Sequence, residues 1–207
     1  MDAKKRLTLT LIWGTAVLAM IGLVGTGVAY RQFADTGSSL EVLYDAPSFD
    51  LIDQNGQRAT EAIVKSDVYV VMVFFASCPG VCPMMNARLL ELQKAVPLPD
   101  VKIVSISIDP AHDTPEMLKG YADGLGADQH RWYFLTGEKD ALFATARGFK
   151  LAATPAEGNQ PITHTQKVLL VDRQNQVRGI YDSLDPEAMK KLAEDAKRLA
   201  AEKERPS

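Results

Sequence analysis

The chain has 207 residues, 46% hydrophobic and 24% charged, a composition that excludes a disordered polymer and suits one globular domain with an appendage. With 23 Lys and Arg against 26 Asp and Glu the formal net charge is −3, so no basic surface for nucleic acid is expected.

The appendage comes first. Lys4, Lys5 and Arg6 precede residues 7–30, which are rich in Leu, Ile, Val, Ala and Gly and contain no Asp, Glu, Lys or Arg. As a helix, such a stretch spans a hydrocarbon core of about 30 Å. The basic cluster ahead of it places the N-terminus in the cytoplasm and the remainder outside. A cleaved signal peptide is the rival reading. It needs a shorter apolar region and a small-residue cleavage site, and Val28-Ala29-Tyr30 is a poor one. The expected organisation is a cytoplasmic tail over residues 1–6, a transmembrane anchor over 7–30, a polar tether over 31–45 and a folded domain over 46–207. No Ser- and Arg-rich transit peptide precedes the anchor, which points to a bacterial inner membrane with the domain in the periplasm.

In the domain, residues 48–52 alternate apolar and polar, Asp53-Gln54-Asn55-Gly56 is a turn signal, and residues 57–60 return as a hairpin. Residues 68–75 form a buried strand, 84–96 a helix and 101–108 a second strong strand, together a parallel βαβ unit. Thr114 followed by Pro115 starts a helix, with a capping side chain and proline at the first helical position. A short strand over 132–135, a helix over 138–147 and a polar loop over 154–163 follow. Residues 167–171 and 177–181 are paired strands, and Asp185-Pro186 opens a last amphipathic helix. This order predicts an α/β, thioredoxin-like domain, a central mixed sheet flanked by helices, behind a transmembrane anchor helix.

Both cysteines lie at the first strand-to-helix corner, in Cys78-Pro79-Gly80-Val81-Cys82-Pro83. On a helical turn, residues four apart share a face, so the thiols can close a disulfide or converge on one soft metal ion. The helix N-terminus favours thiolate, which is both metal ligand and redox nucleophile. A purely structural disulfide is the plainer reading, but a loop this short gains little from closure. Of the three histidines, His112 and His130 sit in polar surroundings and read as surface residues. His164 lies directly before the strand at 167–171. In a thioredoxin-like layout the loop before that strand passes beside the cysteine corner, so His164 can complete a two-sulfur, one-nitrogen site. Such a set suits copper, and zinc less well because zinc takes a fourth ligand.

The cysteine motif, then Asp109-Pro110-Ala111-His112-Asp113-Thr114-Pro115, then Leu135-Thr136-Gly137, then His164-Thr165, in that order, resemble the Sco/SenC copper-chaperone family. The similarity covers most of the chain from about residue 46. It implies a thioredoxin-like fold with Cys78, Cys82 and His164 as ligands of copper, Cu(I) and also Cu(II). It implies as partners the copper-site subunit of cytochrome c oxidase and an upstream periplasmic copper donor. Gly80 stands where family members often carry an acidic residue, and Thr163 where they often carry Asp. Two functions follow. One is a membrane-anchored metallochaperone, not an enzyme in the strict sense, that delivers copper to the binuclear site of cytochrome c oxidase. The other is a periplasmic thiol–disulfide oxidoreductase in which Cys78 and Cys82 are a redox-active pair that reduces the target's cysteines. His164 separates them, because thiol exchange needs no imidazole there. The Asp109–Pro115 motif has an adequate reading as a strand end and helix cap, and no chemistry is assigned to it.

Overall fold

The computed structural model describes residues 40–97, 99, 101–156 and 160–202, together with Trp13. The expected anchor over residues 7–30 lies, Trp13 apart, outside these. Among the described residues no helix is long and apolar enough to cross a membrane. The chain divides into two compact units, Met1–Leu40 and Glu41–Ser207, and the second holds the fold described below.

Its centre is β4 (Val68–Phe74), whose seven residues are all buried. A strand hidden on both faces reads as a continuous apolar run rather than an alternation, and Val-Tyr-Val-Val-Met-Val-Phe is such a run. β4 pairs in parallel with β5 (Val101–Ser107) from Val68↔Val101 to Phe74↔Ser107, and β5 pairs in parallel with β6 (Trp132–Thr136). On the other side of β4 runs β9 (Lys167–Val171), antiparallel, then β10 (Gln176–Asp182) and the two-residue β1 (Tyr44–Asp45). Beyond β6 the hairpin of β2 (Asp50–Asp53) and β3 (Arg58–Thr60) completes eight strands in the order β1-β10-β9-β4-β5-β6-β2-β3. β1 begins inside the segment expected to be tether.

The helices cover both faces. α1 (Cys82–Ala95) packs against α2 (Pro115–Leu125) and against α4 (Pro186–Ala201), which also lies on β4 and β10. α3 (Lys139–Gly148) packs on β2 and β5, where Leu142, Phe143 and Ala146 join Tyr69, Val71, Val73, Val104 and Ile106 in one apolar cluster. The starts of α2 and α4 follow from sequence. The Thr114 hydroxyl accepts from the Met117 amide and the Asp185 carboxylate from the Glu187 amide, each with proline in the first turn. α2 ends at Gly126, whose φ of 76° is the left-handed cap that glycine adopts without strain. A central mixed sheet with helices on both faces is the thioredoxin-like arrangement.

Gly179 on β10 has a different reason to be glycine. A Cβ there would lie 2.3 Å from the hydroxyl of Tyr181 and 2.5 Å from its ring. That ring is buried, and its hydroxyl donates to Asp195 of α4 at 2.8 Å. Gly179→Ala is expected to displace the ring and loosen α4, costing about 1–3 kcal/mol as an overpacked core does. At about 2–4 °C per kcal/mol for a chain of this size, thermal denaturation should begin several degrees lower. An unchanged melting temperature would show that the ring yields freely.

Candidate metal centre

The cysteine loop leaves the C-terminal end of β4. The Cys78 amide donates to the Phe75 carbonyl, closing a turn, and Cys82 is the first residue of α1. Cys78 therefore lies outside the helix. The two thiols do not meet through helical spacing, as the sequence suggested, but because the turn over residues 76–81 folds Cys78 back over the helix start. Both thiols are free, Cys82 buried and Cys78 half-buried.

The third residue arrives from across the sheet. β9 is antiparallel to β4, so its start lies at the same edge as the end of β4. Just before it, β8 (Thr163–His164) pairs with β7 (Ala153–Thr154) in a two-stranded ribbon that sets Ala153 opposite His164, and the Thr165 amide donates to the Ala152 carbonyl. The ribbon delivers the imidazole to the cysteines: His164 Nε2 is 3.0 Å from Cys82 Sγ. Nδ1 lies 2.8 Å from the Thr165 carbonyl oxygen, which only accepts, so in the neutral ring Nδ1 carries the proton and Nε2 presents its lone pair to the sulfur. The ring stands edge-on to Phe75, centroids 5.8 Å apart. One donor atom from each of Cys78, Cys82 and His164 lies within 4.8 Å of the others, the geometry of a three-ligand cluster. His112 and His130 do not join it. The His112 ring faces Asp109 at 2.8 Å, and the His130 carbonyl accepts from Lys102.

The two thiols have unlike surroundings. Burial pushes the Cys82 thiol up to about 12, with the neighbouring Cys78 and Asp113 adding to the rise. Burial also raises Cys78, but backbone and side-chain hydrogen bonds from Cys82 and amide bonds at Gly80 and Val81 outweigh it, and its net shift is downward. His164 is lowered by burial, with the bond to Thr165 partly opposing. At neutral pH the imidazole is therefore neutral, as a metal ligand must be.

Below the cysteines lies a polar layer that sequence reasoning missed. Asp113 is 1% exposed; its Oδ2 accepts from the Ser107 hydroxyl at 2.6 Å and from the Ala76 amide at 3.1 Å. Burial raises its carboxyl, and these two bonds offset part of the rise. Asn86 of α1 donates to the Cys82 carbonyl and to the Tyr121 hydroxyl of α2.

Residues 41–201 match the model of the SCO1/SenC family. The chain belongs to that family. The SCO1 protein homolog of Bacillus subtilis is 27% identical to it over 158 residues, which cover 74% of this chain and 82% of that one. The solved structure of BsSco, a Sco-family cytochrome c oxidase assembly protein with a disulfide switch, is 27% identical and superposes with a TM-score of 0.70 over 80% of this chain and all of that one. Copper-bound ScoI of Bradyrhizobium japonicum is 25% identical, with a TM-score of 0.64 over 75% of this chain and 99% of that one.

The unlike thiols make a testable order. With iodoacetamide near pH 8 the metal-free, reduced chain should be alkylated at Cys78 first, because the thiolate is the nucleophile and Cys82 is both buried and protonated. Peptide mass spectrometry over time reads the order. Equal rates, or Cys82 first, would contradict the asymmetry.

Proposed function

We propose that this SCO1/SenC chain is a copper metallochaperone whose ligands are Cys78 Sγ, Cys82 Sγ and His164 Nε2. The observation that carries the reading is the convergence of those three atoms, with Cys82 and His164 82 residues apart in sequence. Two soft sulfurs and one imidazole match Cu(I), and the harder nitrogen lets the same set hold Cu(II). Zinc is disfavoured, since among the described residues no fourth Cys, His, Asp or Glu joins the cluster. The Thr165 carbonyl holds Nδ1–H, so Nε2 is aimed without a change of tautomer. The cargo is handed to the binuclear copper site of cytochrome c oxidase, a reading supported by family membership and by the assembly role carried by BsSco. Residues 7–30 anchor the chain in a bacterial inner membrane, leaving the domain in the periplasm, supplied by a periplasmic copper donor. The alternative, reduction of the target's cysteines by the same pair, leaves the placement of His164 without a purpose.

His164→Ala tests the choice. The reduced chain should bind about one copper, and the variant should bind it at least tenfold more weakly while still forming and exchanging the Cys78–Cys82 disulfide. In copper-limited cells, strains carrying wild type, His164→Ala or Cys82→Ser should show full, failed and failed oxidase copper-site assembly. Normal assembly with His164→Ala would promote the reductase.

The topology is checked separately. A reporter that is active only after export, fused beyond Ser207, should be active, because Lys4, Lys5 and Arg6 hold the N-terminus in the cytoplasm. Activity from a reporter that works only in the cytoplasm would reverse the orientation.

A further inference from the structure

Asp113 is a buried carboxylate at the cysteine corner; its neighbour Asp109 is buried too but faces His112, whereas neither copper ligation nor helix capping accounts for Asp113. Thr114 caps α2 by itself, so Asp113 is not needed as a cap. Its partners are instead the ends of two neighbouring strands. Ser107 is the last residue of β5, and Ala76 lies two residues past the end of β4, two before Cys78. The Ser107 hydroxyl in turn accepts from the Asp109 amide at 3.1 Å, so the carboxylate is held from below. Ala76 would otherwise present an unpaired amide where the strand ladder stops. Ala76 is half-buried, so without the carboxylate its amide would be left short of an acceptor, and a loop that turned to pair it elsewhere would carry Cys78 away from Cys82.

We infer that Asp113 is a positioning residue that clamps the start of the cysteine loop, through Ala76, in the geometry that holds Cys78 against Cys82. The clamp acts on how often the two sulfurs meet, which is their effective concentration toward each other. It concerns the same cysteines as the copper reading but does not rest on copper.

The test is the thiol–disulfide equilibrium of the full-length chain in detergent with glutathione, metal removed. Two protein thiols and one glutathione disulfide give the protein disulfide and two glutathione thiols. One S–S bond breaks as another forms, two electrons pass to glutathione, and both protons go with them. Asp113→Ala removes the clamp, and the equilibrium constant for protein disulfide should fall about tenfold, a potential about 30 mV more oxidising. Asp113→Asn should stay within about threefold of wild type, because its Oδ1 accepts from Ala76 and its Nδ2 donates to the Ser107 hydroxyl. A wild-type constant in Asp113→Ala, even with a lowered melting temperature, would make the residue merely structural and overturn the inference. An equal fall in both variants would assign the effect to charge and overturn it too. If Asp113→Ala does not fold, Ser107→Ala decides: it keeps the charge and frees the carboxylate, and should shift the equilibrium in the same direction. A wild-type constant there overturns the inference. Failure of the chain to bind copper would sink the copper reading and leave these outcomes unaffected.

Discussion

The parallel pairing of β4 with β5, unbroken from Val68↔Val101 to Phe74↔Ser107, is the constraint on which the rest of the site depends. Parallel strands end at the same edge of a sheet, so the loops that follow them must lie side by side. One loop carries the cysteines and the other Asp113. The antiparallel β9 then begins at that edge, and the segment before it carries His164. No single loop holds a metal site. The site exists because three strand ends coincide, and the apolar burial of β4 and β5 fixes that coincidence. Moving β9 by one residue would turn every one of its side chains to the opposite face and swing His164 with it.

Within the site, the sulfurs are prepared for different steps. Cys78 sits half-buried in a turn of backbone amides that favours its thiolate, while Cys82 is buried against a neutral imidazole. In the metal-free state the Cys82 proton and the Nε2 lone pair satisfy one another. A soft cation held by both sulfurs would replace that proton, so its binding would release protons. The same asymmetry suits disulfide exchange, with Cys78 as attacking thiolate and Cys82 as resolving thiol. That is why the cysteines alone do not separate delivery from reduction, and why the imidazole does.

What the sequence showed depended on how local each signal was. β4 and β9 were legible as apolar runs, β5 as a strand rich in Val and Ile, and the starts of α2 and α4 as a capping side chain followed by proline. Cys78, Cys82 and His164 were legible as a set because the element order suggested a fold that brings them together and because the motifs that carry them resemble the Sco/SenC family. The reason given for the cysteines meeting was different from the one observed, since Cys78 lies before the helix and reaches Cys82 through a turn. The β7–β8 ribbon that aims His164 left no trace: two strands of two residues each have no periodicity to detect. β1 was hidden for the same reason. Asp113 was hidden by its neighbours, because Thr114 and Pro115 explained the stretch as a helix start and left the aspartate nothing to do. Its partners, Ala76 and Ser107, are 37 and 6 residues away in sequence, and only the sheet register brings them to it.

The polar layer beneath the cysteines is where local rules for a stable core are broken. Elsewhere β4 and β5 are filled mainly by Val, Ile, Met and aromatic side chains, with Ser105 paired to the Trp132 ring N–H. At the end that carries the site, Ser107, Asp113 and Asn86 are buried instead, and Asn86 Oδ1 has no hydrogen-bond partner among the described residues. Apolar residues there would pack without such a cost. What they could not do is accept the Ala76 amide, or donate to the Cys82 carbonyl at the start of α1 and so fix the direction in which that thiol points. Departures from the rules of a stable core concentrate where a structure must hold reactive groups in place. The departures here touch the residues on either side of the sulfurs, and they do so through the backbone rather than through the thiols. The thiols thus stay free to exchange partners while their positions stay fixed, which is the combination that handing on a bound ion requires.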